Sequence, residues 1–216
     1  SDGCRQVLWG FFKKLVVADN CAIVVNDIWS HYELYNGTTL IVGTILFTFQ
    51  IYSDFSGYSD IAIGTAKMFG FRLSANFSYP YFSGTISDFW RRWHITLLSW
   101  FRDYVYIPLG GNRCSFSKVA RNTFVVFGLS GLWHGASWTF VMWGLYHALL
   151  FVPSLFLKKI GVKINTPRIL SIILIFILVD IGWIFFRAPS IGDAFGYLCA
   201  INNFGPIQLG KAALAY

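Results

Sequence analysis

Apolar runs alternate along this chain with short polar stretches, most of them basic. A helix needs about 20 predominantly apolar residues to cross a bilayer. Gly135 to Leu157 and Ile169 to Phe186 satisfy this, the second with Asp180 as its one charged residue. Thr38 to Tyr52 has only Gln50 as a strongly polar residue but reaches about 22 Å as a helix. It crosses only by continuing into Ser53–Ala66, which is small and polar. Asn122 to Trp133 reaches about 18 Å. Leu8 to Trp29 is broken by Lys13-Lys14 and Asp19-Asn20. It reads as an interfacial helix followed by a shorter apolar piece, or as an imperfect span. Ser87 to Ile107 is too rich in Trp and Arg to face lipid.

Charge adds a topology. Arg102, Arg113, Lys118 and Arg121 crowd one loop; Lys158, Lys159, Lys163 and Arg168 crowd another. Such clusters mark cytoplasmic loops. Residues 122–157 then leave and return, and the short first arm brings His134 to about mid-membrane. The expected fold class is all-α, a polytopic transmembrane helical bundle with broken or re-entrant helices.

Composition agrees: 56% of residues are hydrophobic and only 12% charged. Soluble domains carry about twice that charge. Nine Trp and eleven Tyr suit membrane interfaces. The net charge of +7 is spread over loops between apolar runs, which points to membrane topology and not to nucleic acid. Four Cys lie without C-x-x-C spacing, and the His spacing matches no metal motif, so no metal ligands are assigned. The chain starts at Ser1 and stops at Tyr216 with no closing feature, and is expected to be a fragment.

Three stretches carry candidate chemistry. In Gly131-Leu-Trp-His-Gly-Ala-Ser-Trp138 an imidazole, His134, stands between Trp133 and a glycine, with Ser137 close behind. Ionisable groups at membrane depth mark function or a polar cavity. A neutral His can take a proton from a hydroxyl. The bland alternative is a core histidine bonded to a neighbouring helix. In Asp88-Phe-Trp-Arg-Arg-Trp-His-Ile-Thr-Leu97, His94 shares a helix face with Trp90, and Arg91 and Trp93 lie between them. Arginine binds phosphate or carboxylate bidentately; an amphipathic interfacial helix explains the pattern equally well. In Gln50–Gly64, Asp54 and Asp60 sit off one helix face. They can orient a histidine, line a cavity, or hydrogen-bond at a helix boundary; the small residues around them favour close helix packing. His147 reads as a packing residue and His31 as solvated.

These stretches, with Asn76-Phe-Ser-Tyr-Pro-Tyr81 and Trp100-Phe-Arg-Asp-Tyr-Val-Tyr-Ile-Pro-Leu-Gly-Gly-Asn-Arg113, closely resemble the membrane-bound O-acyltransferases (MBOAT). The likeness is greatest to the alginate and polysaccharide O-acetyltransferase branch and covers most of residues 1–190. It implies a single MBOAT-like membrane domain over 1–216, lacking amino-terminal spans. It implies His134 and His94 as catalytic residues. Asp54, Asp60, Trp90, Arg91, Trp93, Trp133 and Ser137 are then channel or support residues. It also implies an acyl thioester donor, acetyl-CoA or an acyl carrier, as substrate with no bound cofactor. The acceptor is a hydroxyl of an exported polysaccharide, alone or through a periplasmic acetyltransferase partner, at a bacterial cytoplasmic membrane. D-alanyl transfer to teichoic acid is the related alternative. A proton- or ion-conducting protein is the rival of another class, though the inverted repeats frequent there are not seen.

Overall fold

The computed structural model describes residues 2–162, 165–208 and 210, so Lys163 and the tail from Lys211 lie outside it. Among the described residues every regular element is helical. The chain divides into two compact units, residues 1–75 with 192–216, and residues 76–191.

In the first unit, α1 (Asp2–Phe11) and α2 (Asp19–Ser30) are joined by a π-helical stretch, Phe12–Ala18. Backbone angles stay helical at both junctions, so the interrupted run Leu8–Trp29 lies within one continuous rod. It packs against α3 (Gly37–Met68), whose 32 residues extend about 48 Å. Thr38–Tyr52 thus does continue through the small, polar Ser53–Ala66. Asn36 starts α3, its Oδ1 accepting the Thr39 N–H at 3.0 Å.

The helices approach closely at paired glycines. A Cβ on Gly3 would lie 2.6 Å from the Gly64 carbonyl oxygen, and one on Gly10 would lie 2.6 Å from that of Gly57. Seven residues separate the two glycines on each helix, so both pairs fall on one antiparallel seam. The expected close packing of this small-residue stretch is borne out. From α9 (Ile191–Ala200), Tyr197 stacks on Trp29 at 4.1 Å. Its hydroxyl donates to the Leu40 carbonyl at 2.7 Å.

The second unit is built on three antiparallel helices: α6 (Phe116–His134), α7 (Trp138–Lys159) and α8 (Arg168–Arg187). The α7 and α8 helices cover the two apolar runs expected to cross, and α3 joins them as long and apolar enough to cross a membrane. At Gly131 and Gly144 there is no room for a Cβ, because the Phe140 and Phe127 carbonyls would meet it. Glycine is therefore what sets the α6–α7 spacing.

Two expectations are corrected here. The α6 helix has 19 residues, about 28 Å, because its first turns include the basic Lys118 and Arg121. Counting apolar residues from Asn122 missed them, so the half-depth placement of His134 loses its basis in length. The stretch carrying His94 is not one helix. It is α4 (Ile86–Arg92), a break at Trp93-His94, then α5 (Ile95–Phe101). Trp90 and His94 therefore share no helix face. A second π-helical stretch, Arg102–Tyr106, follows α5.

Candidate functional site

His94 stands in the break, in the left-handed region, with φ 44° and ψ 53°. Non-glycine residues seldom adopt this conformation, and it persists only where the surroundings impose it. Those surroundings can be named. The Asn76 carbonyl accepts the Ile95 N–H at 3.0 Å, and Asn76 Oδ1 accepts the Thr96 hydroxyl at 2.6 Å. The Ser78 N–H donates to the Arg92 carbonyl at 3.0 Å. Residues 76–78 thus hold both sides of the break, and the His94 carbonyl opens α5 by accepting the Leu98 N–H.

Two tryptophans anchor α4 in the core. Trp90 is buried against Trp143 of α7, edge-on at 5.8 Å. Trp93 is buried against Trp183 of α8, at 5.0 Å. Arg91 is exposed, its Nη2 reaching Asp88 Oδ1 at 3.2 Å, and Arg92 Nε reaches Asp88 Oδ2 at 3.0 Å. The guanidinium offered by the sequence for a phosphate or carboxylate is held, with its neighbour, on the Asp88 carboxylate.

His134 is the last residue of α6. Gly135 is extended, and Ser137 caps α7, its Oγ accepting the Thr139 N–H at 3.3 Å. Ser137 is thus a helix cap in this structure. The half-buried His134 ring is edge-on to Trp143 at 5.1 Å and to Phe186 at 5.2 Å. Its other neighbours are Phe140 at 6.4 Å and Trp133 at 4.9 Å. Trp133 also meets His94, edge-on at 5.9 Å. One indole, 58% exposed, therefore touches both imidazoles. The helix end and the helix break, 40 residues apart in sequence, form one place.

Asp54 and Asp60 lie mid-helix on α3, in the first unit, and form an ion-pair set there. Lys14 Nζ meets Asp54 at 2.7 Å and Asp19 at 3.2 Å. Lys13 pairs with Asp60, which also accepts from Gln6 Nε2 at 2.9 Å. The reading of a helix-boundary bond does not hold for either aspartate. Lysines from the π-helical stretch are the partners.

Sequence reasoning passed over Asn76, Trp143, Phe140 and Phe186. Asn76 was legible as the first residue of the Asn76–Tyr81 motif; the aromatics looked like any apolar span. Among the described residues no cluster of His, Cys, Asp and Glu has the grouping to hold a metal ion.

The sequence profile of the MBOAT, membrane-bound O-acyltransferase family matches residues 3–187. The chain belongs to this family. It is 42% identical over 216 residues, 98% of its length, to the probable alginate O-acetylase AlgI of Pseudomonas aeruginosa. It is 40% identical over 209 residues, 94% of its length, to the peptidoglycan O-acetyltransferase of Helicobacter pylori. It is 30% identical over 202 residues, 85% of its length, to the teichoic acid D-alanyltransferase of Bacillus subtilis. The chain spans 40% of each of the first two relatives and 50% of the third. Family and apolar helices together make it a membrane protein.

Proposed function

We propose that the protein containing this chain is an acyltransferase. It moves an acetyl group from a thioester donor, acetyl-CoA or an acyl carrier, to a hydroxyl of an exported polysaccharide. The single observation that carries the reading is the Trp133 indole in contact with both His94 and His134. The acetyl assignment rests on the relatives named for alginate and peptidoglycan O-acetylation. D-alanyl transfer stands second, on the relative named for it at 30% identity.

His134 takes the acceptor's hydroxyl proton as the oxygen attacks the thioester carbonyl. The C–S bond then breaks, and the leaving thiolate receives that proton. Such a base contributes roughly 10²–10⁴-fold in rate. His94, held rigid in the helix break, positions the donor beside it. The aromatic rings around His134 limit water, which would otherwise hydrolyse the thioester. The setting is a bacterial cytoplasmic membrane with the donor on the cytoplasmic side; a periplasmic acetyltransferase is the candidate partner for delivery. The test is mass spectrometry of cell-surface glycans from cells making parent or His134→Ala protein at equal level. Loss of an acetyl ester is expected; a D-alanyl loss moves the assignment to the second reading, and unchanged esters refute both.

A further inference from the structure

His147 lies on α7, 13 residues beyond His134, and is completely buried. Neither of its ring nitrogens has a hydrogen-bond partner among the described residues. Its contacts are rings: Trp90 edge-on at 4.8 Å, Trp143 edge-on at 5.3 Å, and Tyr146 edge-on at 5.4 Å. Phe89 and Phe127 flank it nearly parallel, each at 6.5 Å. On the α8 side the backbone of Gly182 closes in; a Cβ there would lie 2.6 Å from His147 Nε2. Trp143 is edge-on in turn to His134, and also to Trp90 and Phe186. The order His147, Trp143, His134 is therefore an unbroken line of perpendicular ring contacts from the core to the candidate site.

We propose that His147 is a positioning residue: by wedging against Gly182 it fixes Trp143, and through Trp143 the angle of the His134 imidazole. This rests on the acyl-transfer reading for its kinetic consequence, but the ring contact can be tested without it. Dense interiors transmit displacements, and a catalytic group moved by about 1 Å can lose on the order of 10²-fold in rate.

The experiment uses the full-length protein, purified, with His147→Ala, His147→Gln and Gly182→Ala made separately. Gly182→Ala pushes on the ring from α8, so the proposal does not depend on one variant folding. Two readouts are taken on folded protein: the kcat and KM for acetyl transfer, and the NMR signal of the His134 ring. We expect kcat to fall about 10- to 100-fold with KM for the thioester little changed, and the His134 signal to move as the indole shifts. A folded variant with parent kcat, a loss confined to KM, or an unmoved His134 signal overturns the proposal. His134→Ala runs alongside. If that variant keeps full activity, the acyl-transfer reading fails, while the NMR shift still decides the ring contact.

Discussion

The His94 ring meets the exposed Trp133 indole edge-on, 5.9 Å between centroids. This contact joins a break between two short helices to the last turn of a long one, since Trp133 also meets His134.

His94 has a left-handed backbone, which costs a side-chain-bearing residue roughly 1–2 kcal/mol. His94→Gly removes the imidazole and the strain together; His94→Ala removes only the imidazole. Both variants are expected to lose transfer. The glycine variant should be the more stable of the two by about 1 kcal/mol. Thermal unfolding in detergent, followed by size-exclusion chromatography, reads the order, and an alanine variant as stable as the glycine one contradicts the strain.

Asn76 supplies both acceptors that fix the start of α5. Asn76→Ala is expected to cost about 0.5–2 kcal/mol, the usual range for a lost helix cap. Because the cap sits beside His94, activity should fall further than the stability loss accounts for. Activity measured per folded molecule separates the two, and a full specific activity would refute the link.

The α6–α7 spacing depends on bare glycine backbone at residues 131 and 144. The neighbour in each case is a carbonyl, which cannot swing aside as a side chain can. Gly144→Ala should destabilise the protein by about 1–3 kcal/mol, as overpacking does. A parent-like melting temperature would show that the helices stand further apart.

Lys13 and Asp60 tie α1–α2 to α3, with both side chains largely buried: 15% and 20% exposed. Removing either partner alone leaves an uncompensated charge, at a cost of about 1–3 kcal/mol. The double variant Lys13→Met with Asp60→Leu should recover most of that loss, because apolar replacement of both partners is often neutral. A double-mutant cycle measures this, and additive losses would mean that the pair is not coupled.

The helical membrane class was legible because apolar length and sparse charge act over whole segments. The two α7 and α8 spans and the packing of small residues on α3 followed from the same signals. The break at Trp93-His94 was not legible. Local spacing put Trp90 and His94 on one helical face, whereas Asn76, some 20 residues upstream, imposes the break through its hydrogen bonds. The length of α6 was underread because its first turns are basic yet still helical. The partners of Asp54 and Asp60 were hidden for a similar reason. Lys13 and Lys14 looked like an interruption of an apolar run, and only the antiparallel packing of α1 on α3 turns them into counter-ions. The two histidines were legible as motifs, but their meeting at one indole is a property of the fold.

The central claim is that His94 and His134 serve one acyl-transfer site. It is tested most directly by quantifying acetyl esters on the surface polysaccharide of cells making parent, His94→Ala or His134→Ala full-length protein at equal membrane abundance. The account predicts that each single substitution removes the ester mass. Parent-level acetylation by either single variant would contradict it.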